Sequence, residues 1–194
     1  MRTKLSKKKY LKNILFTVGG GCLLIMCLAI SNPPSLASQK PSIEDSVRSG
    51  YRIVIDKSDM ELKVYDSLGW FATYPVVFGS KDMGDKLFEG DKRTPNGSYT
   101  IILKAVSKKW GPQLLLDYPN ETNYTLFEKR KAAGVIPKKA KIGNGIAIHG
   151  TRPTEEWAVD YNYNWTDGCI SLKYTEMQDL YQYINVGTQV FIQP

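Results

Sequence analysis

The chain is poor in the side chains most used for metal binding and redox chemistry. Its 194 residues hold one histidine, His149, and three cysteines. Cys22 and Cys27 lie in an N-terminal apolar stretch, which leaves Cys169 as the single cysteine of everything downstream. One thiol and one imidazole leave a tetrahedral zinc short of nitrogen and sulfur ligands, so no metal is expected. With no second thiol to resolve a mixed disulfide, dithiol redox chemistry is also disfavoured. Repeats, heptads and low-complexity tracts are missing, which excludes solenoids and coiled coils.

Acidic side chains are absent from residues 1–37, where six basic ones occur: Arg2, Lys4, Lys7, Lys8, Lys9 and Lys12. The formal charge of +7 therefore belongs mostly to that segment, since the remainder carries 20 basic against 19 acidic groups. No basic face for nucleic acid survives the subtraction. After Lys12 an apolar run covers residues 14–30, and Ser31-Asn32-Pro33-Pro34 breaks it. Small residues at Ser35 and Ala37 fit cleavage of a signal peptide after Ala37. The rival reading is an uncleaved membrane anchor, weakened by Gly19-Gly20-Gly21 within the run. Either way residues 1–37 export the chain, to periplasm or cell wall, and any membrane contact is through this segment alone. The residues before Cys22 and Cys27 make poor lipoprotein sites.

Residues 38–50 are polar and aperiodic and read as a linker. From Tyr51 the pattern has period two: Ile53 and Ile55, then Met60, Leu62 and Val64, alternate with polar neighbours, as in a hairpin with one buried face. Residues 70–78 predict a third strand, with Pro75 marking an edge or bulge. Residues 79–93 form a polar loop, and Thr94-Pro95-Asn96-Gly97 a tight turn leading into a strand over 99–103. Residues 120–131 predict a helix. Pro137 with Lys138, Lys139 and Lys141 marks a loop, and residues 145–149 a strand ending at Gly150. Thr175-Glu176-Met177-Gln178 has the form of a capping box, followed by Met177, Leu180, Tyr181 and Ile184 at helical spacing. Asn185 and Gly187 close that helix, and residues 189–192 are a last strand. The expectation is a mainly β domain over 51–193 with one or two short helices.

A lone thiol exported without a disulfide partner is buried filler, an interchain bridge, or a reagent. Nucleophilic use needs a base to assist a thiol of pKa ~8.5 and donors for an oxyanion. His149 closes a strand beside Gly150. Gly168 before Cys169 allows a sharp turn that would expose the thiol and aim the Cys169 N–H, and that of Gly168, at an oxyanion. The aromatic set Trp157, Tyr161, Tyr163 and Trp165 lies between the two residues, either as a cleft wall or as packing.

Ile148-His149-Gly150-Thr151 and Thr166-Asp167-Gly168-Cys169-Ile170-Ser171-Leu172 resemble the two halves of the signature of the L,D-transpeptidase catalytic domain (YkuD-like). Gly84-Asp85-Lys86 with Glu89-Gly90-Asp91-Lys92-Arg93-Thr94-Pro95-Asn96-Gly97 resembles the family's loop and Thr-Pro-x-Gly turn. The resemblance covers about 51–193 and implies a β-sandwich-like fold. It further implies a ping-pong reaction on peptidoglycan stem peptides with Cys169 as nucleophile, His149 as proton donor and acceptor, and no cofactor. Gly168, Asp167 and Gly150 would support the oxyanion and the pair; Arg152, Thr166 and Ser171 would line the substrate. Two positions depart from the pattern: many members have histidine where this chain has Asp167 and arginine where it has Ser171. The first departure leaves Asp167 as orienter of His149 or as turn cap. The second puts a carboxylate clamp at that position in doubt, with Arg152 as a substitute. Crosslinking is the leading activity; hydrolysis of the same acyl-enzyme and a non-catalytic wall-binding module are the alternatives.

Overall fold

The computed structural model describes residues 50–194, so the expected signal segment and most of the linker lie outside the described residues. The period-two segment forms β1 (Arg52–Asp56) and β2 (Glu61–Asp66), paired antiparallel with Ile53 opposite Val64 and Ile55 opposite Leu62. All four side chains are buried. The apolar alternation thus sets the register, because a one-residue slip would turn each of them to solvent. β3 (Gly69–Pro75) pairs with β2 through a bulge at Val64/Tyr65.

Among the described residues eight strands run in the order β3-β2-β1-β8-β4-β5-β6-β7. β8 (Gln189–Gln193) lies parallel to β1, setting Val190 against Ile53 and Ile192 against Ile55. β4 (Gly97–Ser107) is 11 residues long and changes partners along its length. Its first four residues pair with β8; from Ile101 onward it pairs with β5 (Gly111–Leu116). A register shift between Ile101 and Leu103 marks that change, and bulges of this kind bend a sheet. β5 runs antiparallel to β6 (Ala147–Gly150), which runs parallel to β7 (Ile170–Leu172). Beyond Pro75 the chain leaves β2, and Val77 and Ser171 exchange two main-chain hydrogen bonds of 2.9 Å each. That bridge joins the β3 end of the series to β7, giving a barrel-like sandwich, and covers an edge that would otherwise be open.

Among the described residues three short α-helices accompany the strands. α1 (Glu121–Ala132) starts at a capping box between Asn120 and Asn123 and ends in Lys129, Arg130 and Lys131, a favourable match to the helix dipole. α2 (Trp157–Asp160) is one turn long and was not expected. α3 (Tyr174–Tyr183) buries Met177 and Leu180 against the sheet. The capping box expected at Thr175 does not form. Thr175 lies inside the helix, and its N–H and hydroxyl both donate to Glu156 Oε1 at 2.9 Å, so the cap comes from the segment before α2. Among the described residues no helix is long and apolar enough to cross a membrane.

Candidate active site

β6 is buried along its whole length, and His149 is its third residue. On the parallel neighbour Ile170 stands opposite Ile148 and Ser171 opposite His149; continuing that register one residue past the start of β7 would set Cys169 opposite Ala147, whose main chain its sulfur meets. Alternate strand residues share a face, which puts Cys169 and His149 on the same one, one diagonal apart. The sulfur accepts a hydrogen bond from the Ala147 main chain, and its S–H donates to Gly145 O at 3.5 Å.

The imidazole is 6% exposed. Its Nδ1 lies 2.9 Å from Gly150 O. A carbonyl only accepts, so Nδ1 carries the proton and Nε2 of the neutral ring is left as a base. The Trp110 and Trp165 rings flank the imidazole at 5.6 and 5.5 Å and each other at 4.9 Å. Burial lowers the His149 pKa, and the Gly150 carbonyl offsets only part of that. Burial likewise raises the Cys169 pKa, and the exposed Asp167 raises it further, against the Ala147 hydrogen bond and Lys86, which lower it. Both causes favour a resting pair of neutral thiol and neutral imidazole.

The turn that presents Cys169 is held from several sides. Thr166 Oγ1 donates to Cys169 O (2.8 Å) and accepts from Gly168 N (3.2 Å), and Thr94 Oγ1 donates to Gly168 O (2.9 Å). Gly168 has φ +127°, and a Cβ there would stand 2.7 Å from Arg93 O. A side chain is excluded on both counts. Behind the turn, residues 79–97 are tied by buried ions. Asp91 accepts from Lys86 Nζ and from the N–H groups of Leu87, Phe88 and Arg93. Lys57, fully buried, donates to the carbonyls of Met83, Gly84 and Thr94. Burial pushes its pKa down to about 8.

The family model of the L,D-transpeptidase catalytic domain matches residues 50–192, nearly all of the described chain. The chain belongs to the L,D-transpeptidase catalytic domain family. Two crystal structures of the helical cell shape determining protein Pgp2 from Campylobacter jejuni, one of them a mutant, are similar in fold. They are 24% and 25% identical with TM-scores of 0.52 and 0.53, over 75% of this chain and 48% of theirs. L,D-transpeptidase 3 from Mycobacterium tuberculosis is 15% identical with a TM-score of 0.50, over 75% of this chain and 61% of its own. The chain thus matches less than two thirds of the length of each. No curated protein matches it.

In this L,D-transpeptidase domain the residues singled out from sequence fall into two groups. His149, Gly150, Thr166, Gly168, Cys169 and Ser171 converge where β6 meets β7. Gly150 supplies the carbonyl for Nδ1 and is buried against α3. Ser171 is fully buried beside His149, with its main chain in the Val77 bridge. Gly168 serves the turn, and its N–H is engaged by Thr166. Asp167 and Arg152 are more peripheral. Asp167 is exposed; Arg152 pairs with Glu155 at 2.7 Å and lies over the Trp110 ring at 5.3 Å, on the rim of the histidine's wall. Of the aromatic set, Trp165 joins the wall, while Trp157 and Tyr163 pack on each other at 5.6 Å with exposed faces. Sequence reading missed the parts played by Trp110, Lys57 and Gly79 and placed Lys86 only within the family's loop, because their positions depend on strands and loops meeting from distant parts of the chain. Among the described residues no three His, Cys, Asp or Glu side chains are grouped to hold a metal ion.

Proposed function

We propose that the protein is an exported cysteine L,D-transpeptidase acting on the stem peptides of peptidoglycan through an acyl-enzyme on Cys169. The observation that carries this is the shared face of Cys169 and His149, with the imidazole held by Gly150 O so that Nε2 is the free base. Sγ attacks the carbonyl of the L-centred third residue while its proton passes to His149 Nε2. The Cys169 N–H supports the developing oxyanion. Collapse breaks the amide, and His149 returns the proton to the amine of the departing D-alanine, leaving a thioester. An amine of a second stem peptide then attacks, gives its proton to His149, and releases the thiol with a new crosslink.

The basic-then-apolar order of residues 1–37 supports export to periplasm or cell wall. The likeness to Pgp2, named for determining helical cell shape, supports a part in wall biogenesis and cell shape. The test is incubation of the full chain with tetrapeptide muropeptides, followed by intact mass. The outcome is loss of D-alanine, a Cys169 adduct and dimeric muropeptides, all absent in Cys169→Ala. Monomeric products alone would replace transfer by hydrolysis. Undiminished activity in Cys169→Ala would overturn the nucleophile, and no turnover by either protein would leave the wall-binding module.

A further inference from the structure

Lys86 and Asp91 form an ion pair at 2.7 Å with side chains 3% and 7% exposed. Taking two charges out of water is costly, and a well-packed apolar pair often does as well for stability. Nor does Asp91 need the lysine for its hydrogen bonding, since three main-chain N–H groups already donate to it. The ammonium also donates to Arg93 O at 3.4 Å, and it stands 3.5 Å from where a Gly168 Cβ would be. It is therefore stationed beside the residue that precedes Cys169.

We propose that Lys86 is an electrostatic positioning residue for Cys169: its buried ammonium, fixed by Asp91 and Arg93 O behind the Gly168–Cys169 turn, favours the thiolate over the thiol. This rests on Cys169 being the nucleophile. Burial is the largest influence on the sulfur and raises its pKa; Lys86 acts in the opposite sense, and Asp167 adds to the rise. The other charged groups around the lysine point elsewhere. Arg93 pairs with Asp82, and Arg130 joins the Lys86 carbonyl at 3.0 Å to Asp85 at 2.7 Å. Burial pushes the pKa of His149 down, which favours its neutral form. Lys86 is thus a cation on the thiol's side of the balance that does not depend on the histidine.

The test is the pH dependence of iodoacetamide alkylation at Cys169 in the full chain, read from the mass of the peptide that contains it so that Cys22 and Cys27 do not contribute. Folding is followed by thermal melting. Lys86→Met moves the alkylation midpoint up by about one unit, the effect of removing a unit charge several ångströms away at intermediate dielectric. Asp91→Asn, which keeps an acceptor for Lys86 but removes the opposing charge, moves it down. A folded variant whose midpoint stays at the wild-type value, or two variants shifting the same way, overturns the proposal. Should Lys86→Met not fold, Asp91→Asn decides alone: a lower midpoint supports the role and any other result removes it. Alkylation needs no substrate, so a chain inert towards muropeptides that still shows these shifts would sink only the transpeptidase reading.

Discussion

Cys169 directly precedes β7 and its sulfur meets the main chain of Ala147, two residues before His149 on β6, while Ser171 stands opposite His149. The spacing of Cys169 and His149 is set by a strand ladder and by the Val77–Ser171 bridge on its outer side. Burial favours the neutral form of both groups, so in the proposed mechanism the imidazole would act during bond formation and would not store a thiolate beforehand. His149→Gln is thus expected to lower muropeptide turnover by about 10²–10⁴-fold, the usual worth of a positioned base. The same variant should leave the alkylation midpoint of Cys169 close to the wild-type value. A midpoint that rises with the turnover loss would mean a preformed ion pair.

The pH profile follows from the same directions. Burial holds His149 below its ordinary 6.5, and the neutral form is the one that accepts a proton. Activity should therefore persist as pH falls through 6.5 and fail only below it, while the basic limb lies above the ordinary thiol value of 9.0. Stability has a matching sign. A histidine whose folded pKa is depressed binds its proton more readily in the unfolded chain, so stability is lost as pH falls below 6.5. Melting temperatures between pH 7 and 5 should drop more steeply for the wild type than for His149→Gln. Equal slopes would refute the buried neutral imidazole.

Thr166 is the residue whose single hydroxyl ties both ends of the cysteine turn. Thr166→Val keeps the shape and removes both hydrogen bonds, leaving a half-buried Cys169 carbonyl and a buried Gly168 N–H to find other partners. The expected loss is about 1–3 kcal/mol of stability. With Cys169 as the proposed nucleophile, turnover should fall about tenfold through kcat, with KM little changed, because the group holds the turn that carries the thiol. Thr166→Ser should recover both properties. A KM effect alone would place Thr166 on the substrate instead.

The alternating Ile53, Ile55, Leu62 and Val64 and the glycine-flanked His149 and Cys169 were legible because each carries its information locally. β5 was not. Its Gly111-Pro112 start reads as a turn, and Leu114-Leu115-Leu116 shows no alternation. β7 is three residues long and wholly buried, too short for any period. The Thr175 motif misled for the opposite reason: a valid local pattern lost to a carboxylate, Glu156, arriving from another segment. Trp110, Lys57 and Lys86 are single residues in polar or turn-like surroundings. Nothing in their neighbours announces burial, because loop 79–97 and the β4–β5 turn acquire their partners only when the sheet closes.

Gly79 shows how much of the site rests on main-chain contact. A Cβ at this position would stand 2.3 Å from Thr166 O, 2.4 Å from Lys92 O and 2.8 Å from Gly168 N. All three are backbone atoms, so no side-chain rotation relieves the clash, and two belong to the turn that presents Cys169. At Gly84 the nearest atom, 2.8 Å away, is Oδ1 of the Asp82 side chain, which can swing aside. Gly79→Ala should cost about 3 kcal/mol or more, the upper range for overpacking, whereas Gly84→Ala should cost under about 1 kcal/mol. The first should also lower alkylation and turnover together by displacing the sulfur, and the second should leave both near wild type. Thermal melting with the Cys169 alkylation rate checks this. Equal melting temperatures for the two variants would show that the turn is held by its hydrogen bonds alone and tolerates a shifted floor.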